Sequence, residues 1–235
     1  FHAAERHAVG APLFALDTRG RLCYAMGSAV GCYDAARQQV AWAIRIASFT
    51  ARRLWLAGPA VVAHGVDDQG LEVVECRQIA TGAPAWSLAL ARGERMLLAD
   101  LAPDAFYLAS RQGARVAVRR LDASTGQVAW THTLGRQEDL ASWDASGAAI
   151  VLGLSVVSGD GLKRAEAVAL DKPTGAAQQR LAIGMGVPTT LRRIGGALYA
   201  VVEDDAGMPR RPQWFGDDVP GQPTRCRIVR LNGTL

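Results

Sequence analysis

The chain has 235 residues, of which 49% are hydrophobic and 20% are charged, and its formal net charge at pH 7 is +4. This composition is typical of a folded globular protein and excludes an intrinsically disordered chain. No apolar run is long enough to cross a bilayer as a helix, and the modest charge with only 6% aromatic residues argues against a nucleic-acid-binding surface.

Residues 13–45 are predicted to form the first of several repeats built from short strands and turns. Its apolar runs are broken by turn residues, including Gly27-Ser28, and it ends near Trp42. Runs of this kind, with no helical stretch between them, are typical of an antiparallel sheet. A two-residue turn at Gly27-Ser28 would place Cys23 opposite Cys32, either as a cross-strand disulfide or as two small buried apolar residues.

The second and third repeats, residues 53–90 and 96–135, follow the first at a constant spacing. Trp42, Trp86 and Trp130 are each 44 residues apart. A fixed period of roughly 20–50 residues is the signature of a repeat architecture. The third repeat contains four predicted strands, at residues 96–101, 105–110, 114–121 and 127–134. Four short antiparallel strands in roughly 40–45 residues correspond to one blade of a β-propeller.

The fourth and fifth repeats, residues 140–183 and 189–235, are less regular. The fourth has Gln179 where the earlier repeats have Trp, and the fifth stops where its fourth strand would begin. Residues 1–10 resemble an isolated fourth strand. We therefore expect a single all-β domain, a β-propeller of about five four-stranded blades in which residues 1–10 close the last blade. The alternative is a five-blade part of a larger propeller.

Seven residues are predicted to be structural because they recur in the repeat. An Asp and a Gly mark the turn before the fourth strand, since Asp favours turns and Gly adopts positive φ without steric cost. One Trp on the fourth strand offers a large area for burial. These residues are Trp42, Trp86, Trp130, Asp122, Gly126, Asp171 and Gly175.

Two segments, Leu22–Asp34 followed by Val40-Ala41-Trp42, and Phe106–Ser110 through Trp130, resemble the PQQ-like (pyrroloquinoline-quinone-like) β-propeller repeat. The resemblance covers most of the chain and implies that the repeated Trp packs between neighbouring blades. The family includes quinone-dependent dehydrogenases and non-catalytic scaffolds. The dehydrogenases hold quinone and calcium on the ring axis, and the alcohol dehydrogenases often add an adjacent cysteine pair. No two cysteines are adjacent in this chain, so no cofactor-binding residue is carried over and no cofactor is expected.

Residues that could carry out catalysis or bind a metal are few. No catalytic or nucleotide-binding motif is present, so we expect that the protein is not an enzyme. His64 precedes Asp67-Asp68, and this group could ligate a cation or could form an ordinary turn. The acidic clusters 203–205 and 217–218 could supply oxygen ligands, but a loose hairpin lacks the rigid geometry that calcium needs. His132 is predicted to be a partly buried strand residue.

The most unusual segment is the proline-rich stretch 203–224, which interrupts the fifth repeat. Long loops within compact domains are usually functional or disordered. Exposed Arg and aromatic residues are typical of interface anchors, so Arg210, Arg211, Trp214 and Phe215 are the predicted partner contact. Alternatively, Trp214 folds back to cap the end of the ring. A second extended connection, Ser155–Lys163, could lie on the same side and belong to the same binding face.

The leading functional hypothesis is therefore a non-catalytic propeller that binds protein partners within a larger bacterial-type assembly. The alternative is a small-molecule or quinone-binding propeller, such as an oxidoreductase fragment. A third hypothesis is a polyanion-binding surface formed by the paired arginines at 52–53, 119–120, 192–193 and 210–211. No nucleic-acid partner and no membrane span are expected. The cysteine usage favours the cytoplasm, with a periplasmic location as the alternative.

Overall fold

The computed structural model describes residues 13–16, 20–46, 49–204 and 226–231, and every regular element in these ranges is a β-strand. Within these ranges no segment has the helical length and apolarity of a membrane span. The nineteen strands form five separate antiparallel sheets.

In the first three sheets, each strand pairs with the next one along the chain. The first sheet contains β1 (Leu13–Leu16), β2 (Arg21–Met26), β3 (Ala29–Asp34) and β4 (Gln39–Arg45). The second contains β5 (Thr50–Ala57), β6 (Ala60–Val66), β7 (Glu72–Gln78) and β8 (Pro84–Ala89). The third contains β9 (Glu94–Leu101), β10 (Ala105–Gln112), β11 (Arg115–Asp122) and β12 (Val128–Thr133).

The fourth and fifth sheets follow the same order. The fourth contains β13 (Glu138–Asp144), β14 (Ala149–Val157), β15 (Lys163–Asp171) and β16 (Ala177–Met185). The fifth contains β17 (Val187–Ile194), β18 (Ala197–Glu203) and β19 (Cys226–Leu231). The four-stranded blades predicted from the sequence are confirmed for the first four sheets, and the fifth shows three strands within the described residues. Residues 1–10 lie outside the described residues, so closure of the last blade by this segment stays a prediction.

Burial differs between the middle and outer strands of a sheet for reasons visible in the sequence. In the third sheet, β10 begins with the apolar run Ala105–Ala109, and all of these residues are buried. The strand is paired on both sides, with β9 and β11, and its Phe106 and Leu108 pack in the cluster shared with the second sheet. The outer strand β12 buries only Trp130, while Val128 and Ala129 before it and the polar residues 131–133 after it are exposed or half-buried. The sheet therefore needs its Trp to anchor the outer strand.

Neighbouring sheets share apolar clusters that form the core. One cluster joins the first and second sheets and includes Cys23, Cys32 and Trp42. A second cluster joins the second and third sheets, and a third joins the fourth and fifth. Cys23 lies directly opposite Cys32 in the β2–β3 pair, which confirms the register predicted from the Gly27-Ser28 turn. Both are fully buried thiols.

The chain forms two compact units, Phe1–Thr131 and His132–Leu235, and the boundary falls within β12. The first unit contains the first three sheets and their two shared clusters. The second contains the fourth and fifth sheets with their own cluster. The prediction of a single domain over residues 1–235 stays a prediction.

Candidate functional site

The repeated tryptophans connect each sheet to the next one in the first unit. The indole Nε1 of Trp42 on β4 donates a hydrogen bond to the carbonyl oxygen of Ile79, just after β7, at 2.8 Å. Trp86 on β8 donates in the same way to the carbonyl of Ala123, just after β11, at 2.8 Å. Both rings are buried, so each hydrogen bond is shielded from water. We call each of these arrangements a tryptophan latch.

The glycine of the repeat turn makes room for each latch. Gly82 and Gly126 adopt φ of +71° and +70°, a region that favours glycine. A Cβ on Gly82 would lie 2.7 Å from the Trp42 ring, and one on Gly126 would lie 2.6 Å from the Trp86 ring. The Thr-Gly turn of one sheet and the Trp of the preceding sheet are therefore complementary parts of one contact.

The aspartate of the repeat holds the same turn closed. Asp122 Oδ1 accepts hydrogen bonds from the backbone and side chain of Ser124 and of Thr125, at 2.5–3.1 Å. These hydrogen bonds, with that from the Ser124 hydroxyl the strongest, lower the pKa of Asp122 to about 2. Asp171 repeats the pattern with Thr174 in the fourth sheet. Asp122 and Asp171 therefore act on the backbone of their own turns.

The predicted partner contact, Arg210, Arg211, Trp214 and Phe215, lies outside the described residues, as do residues 217–218 of the second acidic cluster. The second predicted loop is shorter than expected. β14 continues to Val157 and β15 begins at Lys163, so the connection spans only residues 158–162. The boundaries predicted for this loop were wrong because the two strands extend in register through Val157 opposite Lys163.

His64 has a different partner from the one suggested by the sequence. Its Nε2 lies 3.2 Å from Glu72 Oε2, across the β6–β7 hairpin, and its ring packs near Trp55. Asp67 Oδ1 accepts hydrogen bonds from the backbone amides of residues 69 and 71 and thus stabilises the turn between β6 and β7. Within the described ranges, no three His, Cys, Asp or Glu side chains are grouped closely enough to hold a metal ion.

Glu72 also reaches the neighbouring sheet. Its Oε2 accepts the backbone amide of Met96 on β9 at 2.5 Å. Burial opposes ionisation of Glu72, but hydrogen bonds from His64 and Met96 outweigh it, so its pKa is lowered. The side chain therefore acts as a charged cross-link between the second and third sheets.

The main polar site that sequence reasoning missed is a cleft on one face of the third sheet, with a volume of about 200 Å³. All four strands of the sheet contribute to its walls. Its lining residues are Glu94, Ser110, Gln112, Arg115, Ala117, Arg119 and Thr131. We call this feature the β9–β12 cleft.

A buried carboxylate forms the floor of the cleft. Glu94 Oε1 accepts the Ser110 hydroxyl at 2.5 Å and lies 2.6 Å from the Arg119 guanidinium, while Oε2 accepts the Ala91 amide at 3.1 Å. Burial opposes ionisation, but these hydrogen bonds and the charge of Arg119 lower the pKa of Glu94 below its ordinary value. A carboxylate held ionised and satisfied in this way is suited to orienting Arg119 and unsuited to accepting a proton near neutral pH.

One signal in the sequence could have identified Glu94. Glu138, 44 residues later, also begins the first strand of its sheet, and its Oε2 accepts the amide of Gly135 as Glu94 accepts that of Ala91. Glu138 also pairs with Arg180. A Glu at the same repeat position therefore closes the turn before the first strand in two sheets.

The model of the family described as outer membrane protein assembly factor BamB matches residues 76–202, which is more than half of the chain. No curated protein sequence gave a significant match.

Among solved structures, the chain is similar to BamB from Moraxella catarrhalis (TM-score 0.45, 17% identity, covering 85% of this chain and 81% of that chain). It is also similar to the computationally designed Ika4 protein (TM-score 0.48, 13% identity, 76% and 89%). A third similar structure is dihydro-heme d1 dehydrogenase NirN in complex with DHE (TM-score 0.51, 18% identity, 83% and 42%).

The NirN likeness concerns the fold alone, and this chain spans less than half of the NirN chain. Together with the sheet order described above, it confirms the all-β, β-propeller fold class. The family match confirms the resemblance to PQQ-like repeats that the segments Leu22–Asp34 and Phe106–Ser110 through Trp130 showed. The chain therefore belongs to the family of PQQ-like β-propeller proteins described as outer membrane protein assembly factor BamB.

Proposed function

We propose that this protein is a non-catalytic β-propeller scaffold that binds protein partners within a larger assembly. The observation that carries the proposal is the family match over residues 76–202, because the family is described as an assembly factor rather than as an enzyme. Function does not follow from fold alone, so the proposal also has to agree with the side chains that the structure describes.

The tryptophan latches support a scaffold role. Trp42 and Trp86 each fix a neighbouring sheet through a buried hydrogen bond and a close ring contact, so the three sheets of the first unit form a rigid frame. Binding loops are most effective when a rigid scaffold holds them in place, because less conformational entropy is lost on association.

The groups that the structure describes in the β9–β12 cleft also agree with a non-catalytic role. Glu94 is ionised and its oxygens are already occupied by Ser110, Ala91 and Arg119. A general base needs a pKa near the working pH and access to the proton that it removes. Glu94 has a lowered pKa instead, so the cleft is better suited to recognition than to proton transfer.

The proposed partner contact remains Arg210, Arg211, Trp214 and Phe215. Arg and Trp are enriched among the residues that dominate binding energy in protein interfaces. We expect Trp214→Ala with Phe215→Ala to abolish partner binding while the circular dichroism spectrum of the fold is retained. Val40→Ala with Val128→Ala is a matched control, since both valines are exposed on outer strands, and it should leave binding unchanged.

Native mass spectrometry of the protein purified gently from its own cells tests the proposal. A stable complex that is heavier by the mass of a whole protein, and that the loop variant loses, supports the scaffold function. A mass increase typical of a small molecule, accompanied by near-ultraviolet or visible absorbance, would contradict it and favour a cofactor-binding propeller. Unfolding of the Trp214/Phe215 variant would instead identify the loop as structural.

A further inference from the structure

Cys23 and Cys32 lie directly opposite each other in the β2–β3 hairpin. The two-residue turn Gly27-Ser28 joins these strands, so Met26 and Ala29 form the pair that flanks the turn. The pair that flanks such a turn is hydrogen-bonded, and the pairs beyond it alternate between non-hydrogen-bonded and hydrogen-bonded. The hairpin pairs without a register shift, so the cysteines, three pairs further on, form a non-hydrogen-bonded pair.

This kind of pair meets the geometric requirement of a disulfide. The Cα atoms of a non-hydrogen-bonded pair lie ~4.5 Å apart, and their side chains are closer together than in a hydrogen-bonded pair. A disulfide needs Cα atoms about 4.4–6.8 Å apart. Both side chains lie on the same face of the first sheet, because both belong to the cluster that this sheet shares with the second sheet. The strands therefore do not have to change register for the two sulfur atoms to bond.

The surroundings of the two thiols also allow the bond. Cys23 and Cys32 are fully buried, and Trp42 packs in the same cluster. Joining two thiols removes two hydrogen atoms and adds no atom, so the cluster needs no additional volume. Thiol–disulfide exchange requires access of a thiolate to a disulfide sulfur. A disulfide at this position is therefore protected from reductants once the sheet has folded.

The second sheet shows what packing alone needs at this position. Cys76 lies 44 residues after Cys32, and each of these two cysteines lies opposite the tryptophan of its own sheet. On its other side Cys76 lies opposite Val62 rather than a second cysteine. A Val–Cys pair is thus sufficient for a buried contact here, and the second thiol of the first sheet adds a possible reaction instead.

We propose that Cys23 and Cys32 form a structural disulfide that links β2 to β3 and is made while the chain folds, by exchange with a donor disulfide such as oxidised glutathione. One cysteine thiolate attacks the donor disulfide, forms a mixed disulfide and releases the first donor thiol. The second cysteine thiolate then attacks the mixed disulfide, and the Cys23–Cys32 bond forms as the second donor thiol leaves. Two electrons pass to the donor, and its two sulfur atoms end as thiols with the two protons.

This inference goes beyond the proposed function and does not depend on it, because it concerns a covalent modification within the first sheet and no partner. Disulfides persist in oxidising compartments and are rare in a reducing cytosol. The proposal therefore also implies that the chain folds in an oxidising compartment, which corresponds to the periplasmic alternative for its location.

The first test uses the protein purified from its own cells after acid quenching. The chain is unfolded and treated with N-ethylmaleimide, which blocks every free thiol, and is then digested with trypsin. Residues 22–37 form one tryptic peptide, which contains Cys23 and Cys32 and no other cysteine. We expect this peptide to carry no maleimide and to be lighter than its reduced form by two hydrogen atoms. Cys76, in the tryptic peptide 54–77, should carry maleimide and shows that labelling is complete. A doubly labelled 22–37 peptide would overturn the proposal.

The second test refolds the reduced chain in a mixture of reduced and oxidised glutathione. The disulfide closes a loop of ten residues, from Cys23 to Cys32. Closure of a loop of this length should raise the equilibrium ratio of folded to unfolded chain about 100-fold over the reduced protein, in urea titrations at 25 °C. Cys23→Val is the matched control, since it gives the first sheet the Val–Cys pair of the second sheet, and its urea midpoint should be the same with and without a reductant.

Two results of the refolding experiment would contradict the disulfide. Glutathione attached separately to Cys23 and Cys32 would show that the hairpin does not bring the two sulfur atoms together. Loss of the far-ultraviolet circular dichroism spectrum on oxidation would show that the bond is incompatible with the sheet. Equal urea midpoints for the oxidised and reduced wild-type protein would also overturn the structural role.

Discussion

Replacing Gly126 by Ala tests whether the turn of the third sheet and Trp86 form one latch. At φ of +70°, an alanine carries a left-handed backbone penalty of roughly 1–2 kcal/mol. Its Cβ would also lie 2.6–2.9 Å from the Trp86 ring, and overpacking of this kind costs about 1–3 kcal/mol. We therefore expect Gly126→Ala to lower the free energy of unfolding by ~2–5 kcal/mol. Urea unfolding followed by far-ultraviolet circular dichroism measures this change.

Gly113→Ala provides the matched control for the backbone penalty. Gly113 has φ of +58° in the same sheet, and a Cβ there would meet no atom within 4 Å. Gly113→Ala should lower the free energy of unfolding only by the backbone penalty of positive φ, about 1–2 kcal/mol. Equal losses for the Gly113 and Gly126 variants would refute the close contact between Gly126 and Trp86.

A double-mutant cycle with Trp86→Ala isolates the coupling between the two residues. In the Trp86→Ala background the ring is absent, so Gly126→Ala should cost only the backbone penalty of positive φ. The coupling free energy between Trp86 and Gly126 should therefore be about 1–3 kcal/mol. Trp86→Ala alone should lower the free energy of unfolding by ~3–5 kcal/mol. A protecting osmolyte keeps the wild type, the two single variants and the double variant folded for the comparison. If Gly126→Ala still lowers the free energy of unfolding by more than the backbone penalty when Trp86 is replaced by Ala, the latch is contradicted.

Three further predictions follow from single positions. Gln38 is the only non-glycine residue with positive φ (52°) in the described ranges, so Gln38→Gly should raise the free energy of unfolding by about 1 kcal/mol, measured from the urea midpoint. The fold lowers the pKa of Asp122 from 3.8 to about 2, so its carboxylate contributes stability that is fully present above pH 3.8. Asp122→Asn should therefore destabilise the fold at neutral pH, and this loss should vanish as the pH falls through 2. An NMR titration of Asp122 checks the pKa. Glu94→Gln should lower the free energy of unfolding by ~2 kcal/mol at neutral pH, because it leaves the partly buried Arg119 without its counter-charge. Because the fold lowers the pKa of Glu94, the stability difference between wild type and Glu94→Gln should become smaller as the pH falls below 4.5, the ordinary pKa of a glutamate. Urea titrations at several pH values measure this change.

Much of the fold could be predicted because propeller repeats depend on local signals at a constant spacing. The third repeat shows this most clearly, since its four strands lie within a few residues of the predicted bounds. Turn residues such as Asp122 and Gly126 act on backbone within their own turn, so their pattern survives in the sequence. The apolar runs between turns are short, and they predict strands without any knowledge of tertiary contacts.

The candidate site was harder to predict because its residues come together only through strand register. Glu94 meets Arg119 because β9 and β11 flank β10, and no short motif joins these residues. His64 was grouped with Asp67-Asp68, as a cation site or an ordinary turn, because these residues are close in sequence, whereas the antiparallel hairpin places Glu72 beside it. In the same way, Gln38 lies four residues before Trp42, where the next two repeats have Gly82 and Gly126, and its backbone has the same positive φ although it is not a glycine.

The repeat, the strand order and the turn residues could be read from the amino-acid sequence, since each of these depends on contacts between residues that are near one another in the chain. The folded structure was needed to show which atoms of neighbouring sheets meet, such as Trp86 Nε1 with the carbonyl oxygen of Ala123. It was also needed to show that Arg115, Arg119 and Glu94 lie on the same face of the third sheet. The reason is physical: a period of two places a side chain on one face of a strand, but the partner across that face depends on register and on the packing of the next sheet.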